Sequence, residues 1–307
     1  MSRLLERDFA LANDTNATCL AVLGFMSSTK DQNSVGELED LALWAVEALT
    51  VALVPPDDTL CCLDSRAFGL LGTPGETGFQ HASIIEQFRD DLSRNNRPHL
   101  VTSDAGVENL AERRVDGCVT FGALDSAFAD EASCESVLRT VARLLCSGGK
   151  FFGLCVDSAS LWTPLRKAYE ARQTGRAAPA PSVDIRLPYR ASDASFCIAM
   201  DPDANALFRS AYGHVFTLGV GTRTKASSRK CYLVNFGELI RVASRVGLEY
   251  REALNLKDFW EEFHRPLQYC EEMRSFYRRF QGQKFRPSPA ALEGAAYFSV
   301  FVFEAVS

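Results

Sequence analysis

LLCSGGKFFGLCVDS, residues 144–158, decides how the rest of this chain is read. Val137, Val141, Leu144 and Leu145 are spaced as one face of a helix, and Phe151 to Val156 form a continuous apolar run of strand length. Between them stand Gly148 and Gly149. A glycine there is expected to take the left-handed conformation that ends a helix and lets the chain reverse into the next strand. Helix, glycine turn and fully apolar strand are the marks of an open α/β sheet buried on both faces.

Working outward, the same alternation continues. ELEDLALWAVEALTVAL (37–53) predicts a helix with Leu41, Trp44, Ala48 and Val51 on one face, stopped by Pro55-Pro56. Leu60 to Leu63 reads as a short buried strand, followed by a Gly/Pro/Thr loop (71–78) and a helix over 83–92. HLVTSDA (99–105) and CVTFGAL (118–124) read as strands, and residues 134–146 as the helix that closes on the glycines. This order predicts a Rossmann-like, mainly parallel, doubly wound sheet, with its ligand crevice at the carboxyl ends of the strands. Residues 171–195, beginning ARQTGRAAPAPS, are expected to be a mobile insertion. Short β patterns follow at 196–200 and 214–220, then a helix over 239–247 ended by Gly247 and an aromatic-rich helical stretch over 258–280. AYFSVFVFEAV then supplies a last strand, read as an antiparallel C-terminal edge to the sheet. Residues 1–36 read as an extension and 37–307 as one domain.

Composition narrows the function. With 307 residues, 47% of them apolar, the chain can bury a sizeable core, and its net charge of −6 argues against broad, unspecific nucleic-acid binding. Ten cysteines include no CxxC pair and no Cys/His set at zinc spacing, so neither a metal nor a disulfide framework is expected. No apolar run approaches the roughly 20 residues of a membrane span, and MSRLLERDFALAND resembles neither a secretory signal nor a transit peptide. A nuclear or cytoplasmic protein is the expectation.

The segments also resemble one family in order. RKCYLVNFGELIRVASRVGLEYREALNLKDFWEEF (229–263) is similar to the block around "YLVHF" in eukaryotic mRNA cap guanine-N7 methyltransferases. SAYGHVFTLGV (210–220) resembles their "FGNxIYxVxF", residues 147–168 their "PGGxFIGTxPNS" turn, and LEGAAYFSVFVFE (292–304) their closing "VFVFEK" strand. RPHLVTSDA (97–105) and VDGCVTFGALDSAF (115–128) match the "TADSS" strand and the strand before the family's His-Tyr pair more weakly. The likeness covers roughly residues 37–304. It implies a class I methyltransferase fold, S-adenosylmethionine as cofactor, and capped mRNA or capping and translation-initiation proteins as partners.

It also implies where the ligands would lie. The cofactor's close approach needs glycines in the first strand-to-helix loop. In LCCLDSRAFGL (60–70), aligned without gaps, the family's acid falls on Cys61 and its glycines on Leu63, Ser65, Ala67 and Phe68. Asp64 and Gly69 are candidates for a shifted remnant, and Asp104 matches the aspartate of "TADSS", placed near the adenine. The lysine two residues after the family's tryptophan is Val46 here, which makes Trp44 a core residue rather than part of a cofactor box. On the cap side the His-Tyr pair becomes Asp125 and Ser126, the glutamate before "YLVHF" becomes Cys231, and the last-strand tyrosine falls on Phe298 or Tyr297. Asp125 is the candidate acceptor for a guanine edge. Tyr297, Phe298, Tyr232 and Tyr212 are candidate stacking rings, each weighed against plain packing.

Two functions follow as expectations. The first is a family member with degenerate cofactor and cap sites, acting as a pseudoenzyme in RNA binding or as a scaffold in mRNA capping or cap-dependent translation. The second is an active S-adenosylmethionine-dependent mRNA (guanine-N7) methyltransferase with a diverged cofactor loop. A different partner altogether, such as a ribosome-assembly factor, is a weaker third. Phe259, Trp260, Phe263, Tyr269, Phe276 and Tyr277 are either a partner surface or the cover of the sheet.

Overall fold

The structure is a computed structural model that describes residues 34–54, 59–62, 99–101, 114–120, 124–156, 158–161, 166–167, 170, 174, 183–188, 194–200, 210–222, 227–264 and 287–306. Helix α1 spans Ser34–Leu53. Trp44, Ala45 and Val46 are consecutive in it and all buried. Three successive residues sweep about 200° of a helix, so α1 is enclosed on most sides rather than laid on one face.

Six strands form the main sheet: β1 (Thr59–Cys62), β2 (His99–Val101), β3 (Val115–Thr120), β4 (Leu145–Val156), β9 (Leu248–Asn255) and β10 (Phe298–Ala305). Their order is β2-β1-β3-β4-β10-β9. β1 runs parallel to β2 and β3, and β3 to β4, while β10 runs antiparallel to both β4 and β9. The expected mainly parallel sheet with an antiparallel C-terminal part is therefore present. The antiparallel strand is β10, enclosed between two partners, and β9 lies outside it.

Helices cover both faces. On one face α3 (Glu131–Leu144) and α4 (Phe236–Arg245) bury Leu138, Val141, Leu239 and Val242 in one core with Phe151, Cys155, Phe301 and Phe303 of the sheet. The alternate residues Phe152, Leu154, Val300 and Val302 turn to the other face, where α1 lies on β3 and β4, and α5 (Leu256–Phe263) on β10. A sixth helix, α6 (Pro289–Ala295), packs on α1 and α5. A short helix, α2 (Leu124–Ala127), follows β3.

A second, antiparallel sheet has the order β5-β6-β7-β8, from β5 (Val183–Pro188), β6 (Ala194–Met200), β7 (Val215–Thr222) and β8 (Ser227–Tyr232). Strand pairing thus begins within the stretch 171–195.

The glycine turn departs from expectation in its detail. α3 ends with Leu145 as its extended C-cap, and pairing of β4 with β3 begins at that residue. Val115 pairs with Leu145 but Gly117 with Lys150, so five residue steps on β4 face two on β3. Gly148, at φ +79°, makes this bulge instead of capping the helix. At Gly149 there is no room for a side chain, since a Cβ would lie 2.9 Å from the Cys146 carbonyl oxygen and 3.1 Å from that of Asp116. Gly247 does follow α4 with φ +85°, as expected of a helix stop.

Candidate functional site

Because β1, β2, β3 and β4 are parallel, their carboxyl ends, Cys62, Val101, Thr120 and Val156, share one edge of the sheet. Asp125 and Ser126 sit on α2 just beyond Thr120, and Asp125 is buried. Around α2 the chain is tied by backbone bonds. Gly213 N–H donates to the Phe128 carbonyl at 3.0 Å and Leu233 N–H to that of His214 at 2.8 Å. These bonds bring the 212–215 segment and the end of β8 against α2, so Asp125, Ser126 and Tyr232 occupy adjoining elements.

Tyr212 is packed rather than free to stack on a ligand. Its ring lies on Phe128 with centroids 5.4 Å apart, and its hydroxyl donates to Glu238 Oε2 at 3.3 Å. Burial, with the negative charge of Glu238 and Glu131 and the Cys134 thiol nearby, pushes the Tyr212 hydroxyl up to about 12. Tyr232 is half-buried against the same core.

Tyr297 and Phe298 stand at the end of the neighbouring strand. Phe298 pairs with Val156 inside the sheet and is buried, whereas Tyr297, in the turn before β10, is half-buried. Burial and, second, Glu293 raise its hydroxyl pKa above the ordinary value. Of the two aromatics, Tyr297 is the more exposed.

Sequence reasoning missed the residue that holds this turn. Asn255 Nδ2 donates to the Ala296 carbonyl at 2.6 Å and to Ser160 Oγ at 3.4 Å, while its Oδ1 accepts from Lys257 N–H at 3.0 Å as the cap of α5. One side chain joins the end of β9, the segment after β4 and the turn carrying Tyr297. Only its capping role had a local signal, since Asn before the amphipathic run LKDFWEEF is a helix-start pattern.

The cofactor side is only partly visible. Asp64, Gly69 and Asp104 lie outside the described residues, as do Leu63, Ser65, Ala67 and Phe68. Val46 is described and wholly buried, and Trp44 beside it packs edge-on against Phe259 at 5.5 Å and Trp260 at 4.7 Å. Trp44 is core, as read from the sequence, and position 46, where the resemblance implies a lysine, is an aliphatic core residue. The described part does not fit the charged cofactor box. Phe259 and Phe263 are likewise buried, whereas Tyr269, Phe276 and Tyr277 lie outside the described residues. Among the described residues no cluster of His, Cys, Asp or Glu forms a metal site, and no helix is long and apolar enough to cross a membrane.

No protein-family model matches the chain. It is 29% identical over 183 residues to mRNA cap guanine-N(7) methyltransferase 2 of Arabidopsis thaliana, a match covering 59% of this chain and 48% of that protein. The protein of the same name from Oryza sativa subsp. japonica is 26% identical over 139 residues, covering 45% and 38%. The chain thus matches less than half the length of either relative. Among solved structures, the CcbJ methyltransferase of Streptomyces caelestis aligns with a TM-score of 0.43 at 15% identity, covering 90% of this chain and 100% of that one. An S-adenosylmethionine-dependent methyltransferase of Clostridium acetobutylicum aligns at 0.40 and 12%, covering 90% and 94%. The two curated relatives bear out the resemblance read from the segments.

Proposed function

We propose that this chain, a divergent relative of the mRNA cap guanine-N7 methyltransferases, serves mRNA capping or a cap-dependent process as a binding or scaffold subunit and transfers no methyl group. One observation carries the reading: Val46, at the position of the family's lysine, is wholly enclosed in the core. An ionised group there would be buried without water, at a cost of several kcal/mol, so the position has been given over to packing. The changes at Leu63, Ser65, Ala67 and Phe68 support the reading from the sequence. Fold alone does not give activity.

On the cap side, Asp125 is the acceptor for the N1–H and amino group of a guanine, with Tyr232 and Tyr297 as the aromatic walls. Each such bond left unmade would cost about 1–3 kcal/mol, so the acid decides whether guanine is held. Capped mRNA, or proteins of capping and translation initiation in nucleus or cytoplasm, are the partners of this reading. An active guanine-N7 methyltransferase with a diverged loop is the second reading, favoured by the activity that both curated relatives are named for. In the second reading S-adenosylmethionine is the cofactor that the relationship suggests, with Asp64, Gly69 and Asp104 to hold it.

A cap-analogue resin and a methyl-transfer assay on unmethylated capped RNA test the two together. Retention that is lost with Asp125→Ala, and no methyl transfer above background, is the expected result. Methyl transfer abolished by Asp104→Ala would establish the second reading instead.

A further inference from the structure

We infer that Tyr212 is a positioning residue for guanine recognition, clamping the end of α2 so that the Asp125 carboxyl group can tell guanine from a base that lacks the 2-amino group. The inference rests on the cap-side reading above and adds to it a residue that sets specificity through another. α2 is four residues long. A single helical turn is not stable by itself in water, so its place is set by what holds its ends. Leu124 and Phe128 are buried in the core, and Phe128 N–H extends the turn by donating to the Leu124 carbonyl at 3.3 Å. Asp125 and Phe128 are three residues apart and so neighbours on that turn. A shift of Phe128 is therefore carried to the Asp125 carboxyl group.

One dipeptide, Tyr212-Gly213, holds Phe128 twice. The Tyr212 ring lies over the Phe128 ring with centroids 5.4 Å and planes 24° apart. Gly213 N–H donates to the Phe128 carbonyl at 3.0 Å, from a backbone at φ +80° that a side chain would strain. The dipeptide is itself anchored. Tyr212 N–H donates to Ser210 Oγ at 3.1 Å, and the Tyr212 hydroxyl donates to Glu238 Oε2 at 3.3 Å. Glu238 accepts in turn from Arg241 Nε at 2.8 Å, and Arg241 reaches Glu131, in the first turn of α3, at 2.9 Å. The link from α2 to α3 is thus fixed on both sides, at Phe128 by the dipeptide and at Glu131 by α4. The competing reading is that Leu124 and Phe128 place α2 by core packing alone and Tyr212 merely covers them.

Titration of the full chain with 7-methyl-GTP and with 7-methyl-ITP, which lacks the 2-amino group, separates the two. A carboxyl group accepting from that amino group should give the wild type a preference of about 10-fold for the guanine nucleotide. Tyr212→Leu keeps apolar bulk without the flat ring or the hydroxyl, and Gly213→Ala disturbs the backbone bond alone. Each should cut the preference to about threefold or less, while Tyr212→Phe, which keeps the ring on Phe128, should retain it. Loss of stability weakens both nucleotides alike and leaves their ratio unchanged. Leu41→Ala in α1, buried on the other face of the sheet, should therefore lower the urea midpoint with the ratio intact. Added to Asp125→Ala, Tyr212→Leu should weaken 7-methyl-GTP binding no further, because Tyr212 acts through Asp125. The inference is overturned if both clamp variants keep the wild-type ratio, if Leu41→Ala lowers it as much, or if the double variant binds more weakly than Asp125→Ala. A wild type that binds neither nucleotide sinks the cap-side reading and the role of Tyr212 with it, whereas a preference that survives in the clamp variants sinks the role of Tyr212 alone.

Discussion

Gly153 faces Thr120 across β4 and β3 so closely that a Cβ on residue 153 would lie 2.0 Å from the Thr120 carbonyl oxygen. Thr120 is the last residue of β3, and the helix that carries Asp125 begins at Leu124. Gly153→Ala must therefore push β3 from β4 where the candidate site is anchored. The expected loss is about 3 kcal/mol or more, read as a lowered urea midpoint. A change below about 0.5 kcal/mol would show that the close approach is not a feature of the folded protein.

Val46→Lys tests the core assignment. Burying an ammonium group in α1 should cost several kcal/mol and leave the protein unfolded or markedly less stable by thermal melting. A folded variant that gains affinity for S-adenosylmethionine would place residue 46 at a cofactor site and contradict the core assignment.

Glu304 joins three strands, accepting from Lys150 Nζ at 2.7 Å and Arg251 Nε at 2.9 Å. Burial pushes its carboxyl up, but the bonds from Lys150 and Arg251 outweigh burial and hold it below its ordinary value of 4.5. A pKa lower in the folded than in the unfolded state gives stability that is present above the unfolded value and lost as pH falls through the folded one. Denaturant midpoints should thus separate wild type from Glu304→Gln at pH 7 and draw together as the pH falls below 4.5. A constant gap across that range would refute the assignment.

Asn255→Ala removes a helix cap and two donated bonds, for an expected loss of about 1–3 kcal/mol. Asn255→Asp can still accept from Lys257 N–H but cannot donate to Ala296. Tyr297 should become more mobile in both variants, seen as sharper ring resonances in NMR of labelled tyrosine. Unchanged resonances would mean that another group holds the turn.

The legible parts of the fold are those where burial is symmetrical. β4 from Phe151 and β10 are apolar on both faces, and the helices α3 and α4 carry clear apolar stripes. β8 and β9 are outer strands whose sequences, SSRKCY and LEYREALN, obey no strict alternation. The second even has the leucine and glutamate content of a helix, so only its pairing with β10 reveals it. Gly148 stands out in the sequence, but its role in a bulge depends on where Val115 finds a partner, a relation between two distant segments. At the candidate site, resemblance supplied Asp125 and Tyr297. Asn255 escaped because its function lies in bonds to residues 160 and 296, which no local pattern contains.

The central claim is that this relative of cap methyltransferases no longer uses the methyl donor. Calorimetric titration of the intact chain with S-adenosylmethionine tests it most directly. No saturable heat is expected at cofactor concentrations up to about 100 μM, a range that detects any affinity stronger than roughly −5.5 kcal/mol. Saturable binding in that range, abolished by Asp104→Ala, would contradict the claim.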